Sequence, residues 1–239
     1  MPVLLLIRHA TNDFVKTGRL PGQTPNIHLN EEGRKQAEAL GELLGKRPLD
    51  AVYSSQLERA IETAWRVARP HGLPILIRPA LADINNGDFT GKEIKKLSED
   101  EATKDLWKVV VDTPSKAAFP NGEAMLDMQQ RVVAALEAII AAHPDLDVPK
   151  SSVDESTPSP QPSPSEGEGV KKRPQIVAAV AHADVIKAAL AHYLDMPFDS
   201  FQKLGVQPAS VSTVMVMTDD KNGKRHVMVS SVNQVPYAP

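Results

Sequence analysis

The strongest constraint on the fold is a short apolar run, Val3 to Ile7, that is followed directly by the polar pair Arg8-His9. An uninterrupted apolar run of this length is typical of a strand covered on both faces, as parallel strands are in α/β proteins. The Arg-His pair would then stand at the carboxyl end of that strand. Because ligands of open α/β sheets bind at this edge, the position of Arg8 and His9 indicates a binding site.

Predicted strands and helices alternate along the rest of the chain, which favours βαβ units and a largely parallel sheet. Further strands are predicted at Ala51 to Tyr53, Pro74 to Ile77, Gln175 to Ala181, Ser210 to Met217 and His226 to Val232. Helices are predicted at Glu31 to Lys46, Leu57 to Ala68, Glu123 to Ala142 and Asp184 to Leu194. We therefore expect an α/β fold, a three-layer α/β/α sandwich with a mostly parallel central sheet. The last two strands would form a hairpin around a turn at Asp219 to Gly223.

One domain spanning residues 1–239 accounts for this alternation, with a single interruption at about 145–173. The segment SSVDESTPSPQPSPSEGEG in that interval is rich in Ser, Pro and Glu and cannot bury enough apolar surface to become ordered. It separates a predicted helix from the next predicted strand of the same sheet. We interpret it as a disordered insertion within the domain, whose deletion should leave function intact.

Composition excludes several classes of protein. A formal net charge of -3 provides no basic field, so we expect no nucleic-acid partner and no membrane partner. Cysteine is absent, which excludes disulfides, thiolate metal sites and a cysteine nucleophile. No segment reads as a signal peptide or a membrane span, and we expect a cytoplasmic location. Dinucleotide, P-loop and zinc-helix motifs are missing, and the sequence carries no signal for an oligomeric state.

Polar residues follow three of the predicted strands, and a parallel sheet would bring these strand ends to one edge. Arg8 and His9 follow the first strand, the stretch from Ser54 to Arg59 follows the second, and His182 follows the strand that begins at Gln175. Arginines and histidines clustered in one pocket suit an anion, because guanidinium groups present planar, permanently charged donors to phosphate oxygens. Taken singly, each residue also has a structural explanation as an ion-pair member, a core histidine or a solvated helix residue.

Several ordered segments resemble the histidine phosphatase superfamily, the phosphoglycerate-mutase-like enzymes. They are LLLIRHA, LNEEGRKQAEALGELL, SSQLERAIETA, NGDFTG, FPNGEAMLDMQQR and VAAVAHADVIKAAL, and they cover nearly the whole chain except the low-complexity insertion. The resemblance implies a phosphoglycerate-mutase-like fold. It also implies a phosphomonoesterase that acts on a small phosphorylated metabolite through a phosphohistidine intermediate, with no metal and no cofactor.

The resemblance implies roles for individual residues. His9 would attack the phosphorus atom, while Arg8, Arg59 and His182 hold the phosphate oxygens and offset their charge. His182 is thus both a catalytic and a phosphate-binding candidate. Relatives contact their substrates through the first loop, where this chain carries Gln23 and Thr24.

The chain departs from the family pattern at two places. Asp83 stands where most relatives carry Glu, and as the general acid it would protonate the leaving oxygen and later activate water. Because Asp is one methylene shorter, Asp88 or Glu123 is an alternative acid, and Asp83 would then be a turn or cap residue. In the first loop Asn12 and Val15 replace the usual polar residues, and Asn12 is a candidate for the missing phosphate contact.

Two other functions fit the same motifs. A phosphoglycerate-type phosphomutase must shield the phosphoryl group from water, and such enzymes carry a longer, more charged signature around the acid than LADINNGDFTGKE. A non-catalytic phospho-ligand-binding module would explain the shorter acid, but it would not need a nucleophile. We therefore predict a phosphatase.

Overall fold

The structure, a computed structural model, describes residues 2–148, 171–218 and 224–236. The strands are β1 Val3–Arg8, β2 Ala51–Ser54, β3 Ile75–Ile77, β4 Leu146–Val148, β5 Lys171–Arg173, β6 Ile176–Ala181, β7 Val211–Thr218 and β8 Arg225–Gln234. The helices are α1 Asp13–Lys16, α2 Glu31–Leu44, α3 Glu58–Ala68, α4 Ile94–Glu99, α5 Lys104–Asp112, α6 Met125–Ala142 and α7 Ala183–Tyr193.

A six-stranded sheet in the order β3-β2-β6-β1-β7-β8 forms the centre of the molecule. The first four strands of that order are parallel. Strands β7 and β8 continue the sheet beyond β1 in antiparallel pairing. The α/β class with a mostly parallel sheet is therefore confirmed, as is the antiparallel pairing of the last two strands. The turn expected at Asp219 to Gly223 lies outside the described residues.

The apolar run of β1 contributes to two separate cores, one on each face of the sheet. Leu4 and Leu6 pack in a cluster with residues of α6 and α7, while Leu5 and Ile7 pack in a second cluster with residues of α2 and α3. Successive side chains of a strand point to opposite faces, so a strand with a helix layer on each side must be apolar throughout. This is the physical origin of the three layers.

Two helices begin directly behind strand ends of the parallel part of the sheet. Helix α3 starts at Glu58, shortly after β2 ends, and α7 starts at Ala183, just after β6. Neither helix has a side-chain cap, whereas Asn30 caps α2 by accepting a hydrogen bond from Gly33 N at 2.9 Å. The first N–H groups of α3 and α7 thus lie close to the ends of β2 and β6.

Some elements differ from the sequence expectation. Helices α4 and α5 occupy a region for which no pattern was recognised, because elements of six and nine residues contain too few turns for periodicity to stand out. Strands β4 and β5 form an antiparallel ribbon at the two ends of the predicted insertion. Arg173 anchors this ribbon through two hydrogen bonds to Asp50, at 2.9 and 2.7 Å. Residues 149–170 lie outside the described residues.

Helices long and apolar enough to cross a bilayer do not occur in residues 2–148, 171–218 and 224–236.

Candidate active site

The strand order brings the predicted site residues together, because β6 lies between β1 and β2. His9 follows β1, and its backbone N–H donates to Ala181 O at the end of β6, at 2.9 Å. The ring centroids of His9 and His182 lie 5.1 Å apart. Arg8, His9 and Asp83 line a cavity of about 360 Å³ at this edge of the sheet.

His9 is held in the protonation state of a nucleophile. Its Nδ1 donates to Ala10 O at 2.7 Å, and because a carbonyl only accepts, the proton resides on Nδ1 and the lone pair on Nε2. The side chain is buried, and burial, reinforced by the charges of Arg59 and Arg8, holds the pKa of His9 well below its ordinary value of 6.5. The imidazole is therefore neutral at physiological pH, with an unprotonated Nε2.

Arg59 on α3 is a fully buried cation with unused donors. Its Nη2 donates to Gly22 O at 2.6 Å and lies 3.3 Å from Asp83 Oδ2. In the part of the chain that the structure describes, its Nε and Nη1 have no hydrogen-bond partner. Unpaired buried donors on a charged group are costly, so their presence indicates that an anion completes the site.

His182 lies between the ends of β6 and β2 and is fully buried. Its Nε2 forms a hydrogen bond with Ser55 Oγ at 2.9 Å, and its Nδ1 lies 3.6 Å from Asp83 Oδ2. Burial, followed by the charges of Arg59 and His9, lowers the pKa of His182 well below 6.5. If the Ser55 hydroxyl donates to Nε2, the proton of the neutral ring resides on Nδ1. His182 Nδ1 and Arg59 Nη2 thus both lie close to Asp83 Oδ2.

Asp83 supplies a buried carboxyl next to His182, and it lines the cavity together with His9. Its Oδ1 accepts a hydrogen bond from Ile84 N at 3.0 Å, which fixes the side chain. Burial raises the pKa of Asp83 from 3.8 to about 6; the charge of Asp184 adds to this rise, and Arg59 opposes it. The pKa values of the histidine and the carboxyl are thus shifted in opposite directions, as expected for a paired nucleophile and acid.

Arg131 on α6 positions the segment that carries Asp83. Its Nη1 donates to Ala80 O and Ala82 O at 2.8 and 2.9 Å, and its Nη2 donates to Asp83 O at 3.1 Å. The same guanidinium forms two hydrogen bonds with the carboxylate of Glu123, at 2.6 and 2.9 Å. Glu123 is therefore the partner of Arg131, and it does not line the cavity.

The second alternative acid also lies away from the cavity. Asp88 is exposed and accepts hydrogen bonds from Asn121 Nδ2 at 3.2 and 3.1 Å. Of the three carboxyl groups considered from the sequence, Asp83 is the one that lines the cavity with His9.

The loop residues suggested by the sequence do not line the cavity either. Asn12 caps α1 by accepting from Val15 N at 2.9 Å, and its buried Nδ2 has no partner among the described residues. Gln23 Nε2 donates to Asp83 O at 2.8 Å, and so helps to hold the backbone of the residue that carries the carboxyl group. Thr24 folds back through a backbone hydrogen bond to Pro21 O at 3.1 Å. The loop contributes residues 18–21 to the cavity instead.

Sequence reasoning assigned no role to two residues of this site: Ser55, which lies in the candidate stretch Ser54 to Arg59, and Arg131. Ser55 orients His182, and its position directly after a buried strand was the available signal. No periodicity connects Arg131 with residues 80–83, so the sequence contained no signal for that contact. Within the described ranges, no cluster of three or more His, Asp or Glu side chains could hold a metal ion.

Neutral imidazoles next to a buried guanidinium are suited to take a phosphoryl group from an ester and hold its oxygens. This geometry fits the class of enzymes that bind and transfer phosphoryl groups. Residues 4–149 and 167–228 match the histidine phosphatase superfamily (branch 1), and the chain belongs to that family. The resemblance drawn from the sequence is thereby confirmed.

Curated relatives have phosphatase and mutase names. The chain is 31% identical over 143 residues to phosphoserine phosphatase 1 of Hydrogenobacter thermophilus, a match that covers 60% of this chain and 66% of the relative. It is 27% identical over 203 residues to a glucosyl-3-phosphoglycerate phosphatase of Mycobacterium tuberculosis, covering 84% and 79%. It is 26% identical over 210 residues to a probable phosphoglycerate mutase GpmB of Erwinia tasmaniensis, covering 87% and 82%.

Solved structures agree on the fold. A protein named mycobacterial hydrolase 1 superimposes with a TM-score of 0.77 at 24% identity, covering 98% of this chain and all of the other. Bacillus stearothermophilus YhfR superimposes with a TM-score of 0.75 at 24% identity, covering 99% and 100%. With its family and its phosphatase-named relatives, the chain is a phosphoric monoester hydrolase of the histidine phosphatase type, and the phosphomutase alternative is not favoured.

Proposed function

We propose that this chain hydrolyses the phosphomonoester of a small metabolite in two steps, with His9 as the nucleophile. In the first step Nε2 of His9 attacks phosphorus, the bond from phosphorus to the ester oxygen breaks, and Asp83 protonates the leaving oxygen. In the second step a water molecule attacks the phosphohistidine, Asp83 accepts its proton, and phosphate leaves with the bond to Nε2 broken. The observation that carries this proposal is the hydrogen bond from His9 Nδ1 to Ala10 O, which leaves Nε2 as the basic nitrogen at the cavity.

The phosphate oxygens would be held by three side chains and a helix end. Arg8 lies at the cavity, where its Nη1 is fixed by a 2.6 Å hydrogen bond to Val206 O. Arg59 offers Nε and Nη1, and His182 offers Nδ1. Backbone N–H groups at the start of α7 add donors on the same side. These groups offset the charge that builds up on the oxygens in the transition state, so the proposal requires no metal ion.

The acid role of Asp83 is supported by its surroundings despite the shorter side chain. The segment that carries it is held from one side by Arg131 and from another by Gln23. Its raised pKa keeps a substantial protonated fraction near pH 6, where His9 is already neutral. Both groups are therefore in the form that the first step requires in the same pH range.

The test is trapping of the phosphoenzyme together with steady-state hydrolysis. Wild type, His9→Ala and a matched exposed-histidine variant, His226→Ala, are mixed with labelled p-nitrophenyl phosphate in the presence of a chelator. We expect acid-labile, alkali-stable label on the wild type and on His226→Ala. We expect no label on His9→Ala, with a loss of roughly 10³-fold or more in kcat. Label that persists in His9→Ala, or activity that the chelator abolishes, would contradict the mechanism. A wild type that binds phosphate without turnover would favour the binding-module alternative.

A further inference from the structure

The cavity continues beyond the phosphate-binding residues into an apolar wall. Its apolar lining consists mainly of Val15, Leu20, Ile94, Trp107 and Val111. Ile94 and Val111 are large apolar side chains that remain 40% and 42% exposed. Single exposed apolar side chains are common on protein surfaces. A group of them that lines one cavity indicates a surface that binds apolar atoms of a ligand.

Helices α4 and α5 build this wall. Trp107 and Val111 lie four residues apart on α5 and therefore present neighbouring side chains on one face of that helix. Ile94 is the first residue of α4, and its backbone N–H is fixed by a 2.8 Å hydrogen bond to Gly18 O in the loop that lines the cavity. The wall is thus part of the folded framework around the site.

Arg19 and Lys187, which line the cavity beside this wall, each have a carboxylate partner. Arg19 Nη2 lies 2.9 Å from Glu93 Oε1. Lys187 Nζ lies 2.9 Å from Gln202 Oε1 and 3.5 Å from Asp184 Oδ1. A second anionic group on the substrate would have to compete with these carboxylates. It would also approach the carboxylate of Asp184, whose negative charge contributes to the raised pKa of Asp83.

From this arrangement we propose that the leaving alcohol of the substrate is uncharged and has an apolar face, an alkyl chain or a ring, that packs against Ile94, Trp107 and Val111. The inference rests on the proposed function and narrows it to one class of phosphomonoester. It disfavours leaving groups that carry a carboxylate or a second phosphate.

Three substrates with primary alcohol leaving groups test this selectivity: 2-phenylethyl phosphate, glycerol 1-phosphate and 3-phosphoglycerate. Because all three esters release a primary alcohol, differences in kcat/KM report mainly the contacts of that alcohol. We expect kcat/KM for the phenylethyl ester to exceed that for 3-phosphoglycerate at least tenfold, with glycerol 1-phosphate between them.

Variants of the wall separate packing from chemistry. Ile94→Ser and Val111→Ser should each lower kcat/KM for the phenylethyl ester roughly threefold or more through KM, and leave glycerol 1-phosphate almost unchanged. Trp107→Ala should have a larger effect of the same kind. Matched controls are Ile77→Ser and Trp65→Ala, which change exposed apolar residues away from the cavity. Neither control should alter the selectivity.

Charge is tested by Glu93→Gln, which removes the carboxylate partner of Arg19. This change should raise kcat/KM for 3-phosphoglycerate selectively.

Equal or faster turnover of 3-phosphoglycerate by the wild type, or wall variants that affect all three esters alike, would overturn the inference and leave the phosphatase proposal standing. No turnover of any ester, p-nitrophenyl phosphate included, would overturn the phosphatase proposal and this inference with it.

Discussion

Replacing Asp83 with Asn removes a buried titrating group at almost constant volume. Burial raises the pKa of this carboxyl from 3.8 to about 6, and this rise is what remains after the opposing attraction of Arg59. The folded protein therefore holds the charged form less readily than the unfolded chain does. The variant should consequently gain stability where wild type is ionised, and lose activity because its acid is gone.

The magnitude follows from the size of the shift. Below pH 3.8 both states of the wild type carry the proton, and the group has no effect on the pH dependence of folding. As pH rises from 3.8 to about 6 the unfolded chain ionises first, so wild type loses stability across that window. Above pH 6 the accumulated loss is about 3 kcal/mol, taken as an upper bound. Asp83→Asn should be more stable than wild type by up to this amount at pH 8.

Urea unfolding followed by circular dichroism between pH 4 and pH 8 measures the stability difference. Hydrolysis of an alkyl phosphate in the same buffers should show a loss of about 10²- to 10⁴-fold in kcat for the variant. Wild-type activity should fall as pH rises through about 6, where Asp83 loses its proton. Asp88→Asn, an exposed carboxyl nearby in the chain, is the matched control and should change stability by less than about 0.5 kcal/mol.

Two outcomes would refute this reasoning. An Asp83→Asn variant that is less stable than wild type at pH 8 would mean that the attraction to Arg59 outweighs the penalty of burial. A stability difference that stays constant between pH 4 and pH 8 would show that the pKa of Asp83 is not raised.

Three further predictions concern the supports of the site and of the fold. Arg131→Gln should lower kcat for alkyl esters roughly tenfold or more and shift the pH, about 6 in wild type, at which activity falls as Asp83 loses its proton. Arg131→Lys should rescue part of this loss, whereas an unchanged pH profile would argue against a positioning role. Gly33→Ala would place its Cβ 1.9 Å from Thr11 O and should destabilise the fold by about 2 kcal/mol or more in a thermal melt; a wild-type Tm would contradict that close approach. Joining Val148 to Lys171, which are paired in the ribbon, through Asn-Gly should keep kcat/KM within about twofold, and aggregation of the product would refute the view of 149–170 as an insertion in one domain.

The layers of the fold could be predicted because a strand that is buried on both faces consists of apolar residues throughout. The run from Val3 to Ile7 is apolar throughout since its side chains enter cores on both faces of the sheet. The convergence of His9 and His182 was also predictable, because parallel strands end at the same edge. That prediction did not require the order of β1, β6 and β2 in the sheet.

Contacts made by single side chains to distant backbone could not be predicted. Arg131 donates hydrogen bonds to the backbone carbonyl groups of residues 80, 82 and 83. Because every residue has a backbone carbonyl group, such contacts do not require particular residue types at the accepting positions. The loop residues show the same difficulty, since Gln23 is directed to the carbonyl of Asp83 and not to the cavity. The expected cytoplasmic location and the absence of a nucleic-acid partner stay predictions.

The position of β6 has a consequence for the order in which the molecule can assemble. Strand β1 pairs with β6 and β7, and β2 pairs with β3 and β6. Among the described strands, β6 alone links β1 to β2 in the sheet, and the ribosome makes it more than a hundred residues after β2. Pairings of such high contact order form slowly. His182 follows β6 directly, so it cannot take its place beside His9 until β6 docks. We expect catalytic competence to arise late and all at once, with the closing of the sheet.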